Sequence, residues 1–368
     1  MDHTPPICQQ CGAPLPRQAR WRGVTCGYCA AEVSAGARVV EAAYFRRAYE
    51  RATAATSHFD CAGQRYRILA PLADGAHARI MLAETVGAPP ARVVLKVAHA
   101  PLLQHGHGHE HEHEYEHESQ HGACTRLRQE HAVLTRLQDD SPAGAAYFTQ
   151  RLPQALALGA GAAPGEQARA TLVLRHRPGL WGSLAALRAN HPGGIDARHL
   201  VWMWRRTLDV LAYVHAIGWA HNAIHPGHLL VQPRDHGIVI IGWASAGPAD
   251  DAARARDLRR TAWSMRALLG DGHGAASLAF PPSAASLSSP PSPSSPSSPS
   301  SPPALPPSLP APLAVLLRRA SEADTDDDGK AWDAARTDRE LLAAAAASFG
   351  MPRFIDLPTT PAQAAVFS

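Results

Sequence analysis

Four cysteines near the start of the chain are the residues best suited to chemistry. Cys8 and Cys11 form one C-x-x-C knuckle and Cys26 and Cys29 a second, with fourteen residues between them. Each knuckle offers two thiolates from one tight turn, and Gly12 and Gly27 supply the backbone freedom such turns require. Two knuckles at this separation suit a tetrahedral, all-thiolate zinc site. Four thiolates leave no open coordination position, so the expected role of the metal is structural. A ribbon of about thirty residues buries too little core to fold alone, and zinc would supply most of its folding energy. The disulfide alternative is weaker: residues 1–6 are polar, no export signal is visible, and reducing compartments favour metal over S–S. Arg17, Arg20 and Arg22 between the knuckles are too few to argue for nucleic acid. Cys61 and Cys124 stand alone.

The chain that must position this site is 368 residues long and 45% hydrophobic, which supports a sizeable core. Its formal charge of +3 is too mild to specify a partner. No run of about 18 apolar residues occurs, so no membrane span is expected. Three segments interrupt the globular pattern. Residues 105–121 alternate His with Gly or Glu and hold seven histidines. They read as a low-complexity loop, with exchangeable binding of zinc, nickel or copper as the alternative. Residues 281–312 are almost wholly Pro, Ser, Ala and Leu, a spacer whose P-x-x-P steps could also dock an aromatic groove. Asp324 to Gly329 opens like a calcium loop, but Ala335 stands where a bidentate Glu is needed, so calcium is not expected.

Elsewhere the pattern alternates. Residues 66–69, 78–82 and 92–97 read as strands around turns, 170–174 as a further buried strand and 238–241 as another. Apolar periodicity marks helices at 127–137, 200–217 and 257–269, and again from Ala311 onward. Strands first and helices afterwards give an α+β class with a small and a large lobe.

This order of features resembles a protein kinase over about residues 65–350. Residues 72–80, Leu-Ala-Asp-Gly-Ala-His-Ala-Arg-Ile, are similar to the glycine-rich loop, and Val93-Val94-Leu95-Lys96 stands in the place of V-A-I-K. Leu208, Leu211, Tyr213, His215 and Gly218 are spaced as in the helix before the catalytic loop. His221-Asn222-Ala223-Ile224-His225-Pro226-Gly227-His228-Leu229-Leu230-Val231 aligns without a gap onto H-R-D-I-K-P-E-N-L-L-V. Gly242-Trp243-Ala244 then sits where D-F-G follows a buried strand. The resemblance implies a bilobal fold with a β-rich small lobe and a helical large lobe.

It also implies that the chemistry is lost. Ala223 replaces the aspartate that accepts the substrate hydroxyl proton, and a methyl group takes no proton. His228 replaces the asparagine and Gly242 the aspartate that hold magnesium, an ion that needs hard oxygen ligands. Asn222 and His225 replace the arginine and lysine of the same loop. No magnesium site is expected. Lys96 and Glu130 stand where a strand lysine and a helix glutamate form the family's ion pair, although each alone also reads as a surface charge. Of three loop glycines only Gly75 survives, with Ala73 and Ala78 in the outer positions. Absence of nucleotide is the leading expectation, and weak, metal-independent ATP binding through Gly75, Lys96 and Glu130 is the alternative. Asp257 is placed at the opening of its helix, either as a brace for the catalytic loop or as a plain N-terminal acid.

The expected organisation is a zinc ribbon over 1–40 and a connecting segment over 41–64. A kinase-like small lobe follows over 65–178, a large lobe over 179–350 and a tail over 351–368. The expected function is that of a cytoplasmic pseudokinase, a regulatory or protein-interaction module with protein partners and no membrane. One alternative is an atypical nucleotide-dependent transferase drawing metal ligands from Asp235, Asp250 or Asp251. The other is nucleic-acid binding through the ribbon.

Overall fold

The computed structural model describes residues 58–87, 89–101, 114–139, 145–269, 305–322 and 332–358, together with Leu15, Val24–Thr25 and Glu32–Val33. Val24–Thr25 (β1) and Glu32–Val33 (β2) pair antiparallel. From His58 onward the strands close into an antiparallel barrel. Its members are β3 (His58–Cys61), β4 (Gln64–Asp74), β5 (Ala78–Thr85), β6 (Arg92–Pro101), β7 (Ala155–Ala162) and β8 (Arg169–Arg175), ordered β3-β4-β5-β6-β8-β7. β7 returns to β3 through Cys61 opposite Gly161.

The two-residue period of a strand sorts the barrel side chains. Val93, Leu95 and Val97 of β6 fill the interior with Phe59, Cys61, Tyr66, Ala83 and Val173. The alternate residues Lys96 and Ala98, with Ala170 and Leu172 of β8, meet the helix α1 (Glu114–Asp139) instead. Closure also depends on a residue with no side chain. A Cβ on Gly161 would lie 2.4 Å from the Phe59 ring and 2.7 Å from Thr171 Oγ1, so only glycine lets β7 approach this closely.

The second half is helical. It comprises α2 (Ala145–Thr149), α3 (Leu184–Asn190), α4 (Ala197–Ala216), α5 (Asp251–Leu269), α6 (Ala311–Glu322) and α7 (Ala334–Phe349). Short strands lie among them: β9 (Gly182–Ser183), β10 (Trp219–Ala220), β11 (Leu229–Gln232), β12 (Gly237–Ile240) and β13 (Gly247–Pro248). Asp196 opens α4 by accepting the Arg198 N–H at 2.8 Å. One core joins Leu200, Met203, Trp204, Leu208 and Leu211 of α4 to Val231 and Ile238 of the β11–β12 hairpin, Leu268 of α5, Leu317 of α6 and Leu341 of α7. Val133, Leu134 and Leu137 of α1 enter the same core, while Ala123 and Leu127 pack on the barrel. α1 therefore ties the two halves together.

The described residues form a mixed α/β fold with strands concentrated before residue 176 and helices after it. Each barrel strand read from the sequence lies within an observed one, but β3 and β7 have no counterpart in that reading. β3 falls in the span 41–64 taken as a connection. β7, Ala-Leu-Ala-Leu-Gly-Ala-Gly-Ala, is made of weak strand formers and is held by its ladder to β8. α1 starts at Glu114, inside the histidine tract read as a loop, because residues 114–121 carry no apolar period to reveal it. α5 starts at Asp251, not at Asp257. No helix among the described residues is long and apolar enough to cross a membrane.

Candidate functional site

The site is assembled where α1, β6, the β11–β12 hairpin and α5 converge. Lys96 leaves β6 on the face opposite Leu95, toward α1. There its Nζ lies 2.5 Å from Glu130 Oε2. Glu130 is only 2% exposed. Its position explains the burial: residues 123, 127, 130, 134 and 137 form one helical stripe, apolar except at 130. An acid in the middle of a buried stripe requires a partner, and the strand lysine provides it.

The loop after β10 is held by a carboxylate from below. Asp257, in the second turn of α5 and fully buried, accepts the backbone N–H of His221 at 2.7 Å and of Asn222 at 2.8 Å. His215 of α4 donates its Nε2–H to the same carboxylate at 3.2 Å. The reading of Asp257 as a plain helix N-terminal acid is thereby corrected, since its two oxygens are satisfied by loop amides. Asn222 adopts a left-handed backbone with φ 63, which asparagine tolerates better than most residues. Its side chain accepts from Arg256 Nη1 at 2.8 Å and donates to the Ser245 carbonyl at 3.3 Å, and its own carbonyl accepts from Arg260 Nη1 at 2.8 Å. Asp257, braced by His215, and Arg256 and Arg260 carry the loop, and the alignment alone does not single out the two arginines.

Three imidazoles occupy the centre. His221 donates Nε2–H to the Ile241 carbonyl at 2.9 Å, accepts the Ala223 N–H on Nδ1 at 3.2 Å, and meets Trp243 edge-on at 4.5 Å. His225 accepts the Gly227 N–H at 3.1 Å and so caps the turn Pro226–His228. The rings of His225 and His228 lie 3.7 Å apart. His228 donates Nδ1–H to the Ala223 carbonyl at 2.8 Å. Gly242 follows β12 in a left-handed conformation, φ 83, and a Cβ built there would lie 2.5 Å from Cε1 and Nε2 of His228. The His228 ring thus fills the space that any side chain at residue 242 would enter.

Burial, reinforced by the neighbouring imidazoles, pushes His228 down to about 2 and, with Arg260 adding to it, His225 down to about 4. Both are neutral in the fold near neutral pH. The unfolded chain protonates them near the ordinary value of 6.5. Below that pH the unfolded state binds more protons, so stability falls as pH drops from 6.5 toward the folded values. Replacing His228 with Asn should flatten the decline in unfolding free energy measured between about pH 7.5 and about pH 5. A decline as steep as that of the wild type would contradict a neutral, buried His228.

Gly75 sits in the β4–β5 turn, where its N–H donates to Ala78 O at 3.0 Å and its carbonyl accepts from His99 Nε2 at 2.6 Å. The turn is thus bonded to itself and to β6, and the Gly75 amide is engaged within it. The Glu130 carboxylate acts electrostatically on His221, and the Lys96 ammonium on His228. Of the acids considered as substitute metal ligands, Asp250 caps α5 through the Ala253 N–H at 2.7 Å and Asp251 pairs with Arg254. Asp235 is exposed between β11 and β12. Among the described residues no group of three or more His, Cys, Asp or Glu side chains is arranged to hold a metal. Cys8, Cys11, Cys26 and Cys29 lie outside the described residues, as do 105–113, 281–304 and Asp324 to Gly329. No protein-family model matches the chain, and no curated protein matches it.

Proposed function

We propose that this chain is a catalytically inactive, protein kinase-like module that regulates or binds other proteins, with structural zinc on Cys8, Cys11, Cys26 and Cys29. The packing of His228 against Gly242 carries the reading. These are the positions from which a kinase holds magnesium with an amide and a carboxylate. Here one supplies a neutral imidazole bonded to the Ala223 carbonyl, and the other has no side chain and no room for one. Ala223 beside them provides no base.

Two further features support it. The bonds that maintain shape are retained: Lys96 to Glu130 and Asp257 to the 221–222 amides. The segment that a protein substrate would use is nearly absent. Kinases place a phosphorylated segment between D-F-G and the A-P-E motif. In this chain residues 246–250 alone join the Trp243–Ser245 turn to α5, and Gly247–Pro248 of that link is already paired with β10. Such a module acts through the surfaces it presents and not through turnover.

The test is a thermal-shift titration with ATP, with and without Mg²⁺ or Mn²⁺, on chain whose metal content has been measured. About one equivalent of zinc is expected, lost with Cys8→Ser, and no metal-dependent rise in Tm with ATP. A Tm rise that needs the divalent ion, accompanied by phosphate transfer, would replace this reading with the transferase one. Zinc-free chain of unchanged stability would remove the ribbon.

A further inference from the structure

The second site is at the far end of the β11–β12 hairpin. Beyond Gly350 the chain leaves α7 and lies along the helical half over residues 351–358. Phe354 stacks on His236 at 4.0 Å with the rings 11° from parallel, and His236 stacks on Trp202 of α4 at 4.3 Å and 5°. His236 Nε2–H donates to the Ile355 carbonyl at 2.9 Å, and His191 Nε2–H donates to the Pro358 carbonyl at 3.0 Å. Leu357 between them is buried in the main core. The segment is therefore recognised as an extended peptide is: two imidazole donors read its carbonyls, one ring column takes an aromatic residue, and one apolar site takes a leucine.

His236 and Trp202 of the receiving face are fixed by contacts outside the segment. His236 holds a left-handed backbone, φ 46, within the hairpin turn, and its carbonyl accepts from Arg206 Nε of α4 at 3.3 Å. Trp202 is oriented by donating its Nε1–H to His199 Nδ1 at 3.2 Å. The chain between α7 and Phe354 is exposed by contrast. Gly350 has φ 71 with nothing within 4 Å of a Cβ built there, Met351 is 84% exposed, and Phe354 is 63% exposed because only one of its faces is covered.

We propose that His236, backed by Trp202, and His191 form a receiving face for a short extended peptide with an aromatic residue three positions before Leu-Pro, and that the chain's own residues 351–358 occupy it as a releasable strap. The face sits on the hairpin whose opposite end carries His228 and leads into Gly242. Its occupancy does not depend on the kinase-like reading, since none of its residues belongs to the degenerate centre.

A fluorescent peptide of residues 351–358 titrated onto the full chain tests this. The tethered strap competes at high effective concentration, so the wild type should bind the peptide weakly and the Phe354→Ala chain about tenfold more tightly. Adding His236→Ala should abolish the gain. A peptide with alanine in place of its phenylalanine should bind the Phe354→Ala chain at least about tenfold more weakly than the parent peptide, a comparison that leaves the protein unchanged. Equal binding by wild type and Phe354→Ala, no binding by either, or equal binding of the two peptides would overturn the proposal. Cooperative thermal unfolding of each variant confirms that it is folded.

Discussion

Replacing Asp257 with Ala is expected to lower the unfolding free energy by about 3–5 kcal/mol, measured by denaturant unfolding. The carboxylate is fully buried and satisfies the backbone N–H groups of His221 and Asn222 and the imidazole of His215. Alanine leaves these donors buried without an acceptor, and each unsatisfied group costs about 1–3 kcal/mol. Some of that cost is relieved if water enters the space left by the side chain. Asp257→Asn keeps one acceptor oxygen and should cost less than alanine. A loss under about 1 kcal/mol for Asp257→Ala would mean that the loop is held by the Arg256 and Arg260 bonds to Asn222 instead.

The second large effect is expected at Gly242. Placing aspartate there puts a Cβ in a left-handed backbone, at about 1–2 kcal/mol, and 2.5 Å from the His228 ring. The ring must move, which breaks its bond to the Ala223 carbonyl and its contact with His225. Together these should destabilise Gly242→Asp by roughly 3 kcal/mol or more. Removing the ring as well isolates the steric part. In the cycle of Gly242→Asp, His228→Ala and the double variant, the aspartate should cost about 1–3 kcal/mol less once His228 is gone. The backbone part stays in both arms. A coupling near zero would show that the ring yields freely and that residues 228 and 242 do not exclude each other.

Several features were legible in the residues alone, for local reasons. The β6 alternation of Val93, Leu95 and Val97 against Lys96 predicts which side of the strand meets the core and which meets a helix. α4 is readable from its apolar period. Glu130 was open to two readings, and its place in the stripe 123, 127, 134, 137 is the signal that favours the buried one. β7 was not legible, because an Ala/Gly sequence lacks strand propensity and its pairing comes from β8. The start of α1 was hidden by a polar tract, and the start of α5 by the weak apolar signal of Asp251 to Arg256. The shortness of the link at 246–250 becomes apparent only once Asp257 is known to sit six residues inside its helix.

By itself the sequence determined which groups residues 223 and 242 cannot supply and what the four cysteines are suited to bind. Alanine at 223 takes no proton and glycine at 242 offers no carboxylate in any fold, and two C-x-x-C knuckles carry their ligand chemistry in their spacing. Only the tertiary structure decided what surrounds these residues. Lys96 meets Glu130 across 34 residues, His221 meets Asp257 across 36, and His236 meets Ile355 across 119. Contacts at such separations depend on how strands and helices pack, and no short-range period encodes them. The occupation of residue 242's space by the His228 ring, and of the His236 face by Phe354, is of this kind.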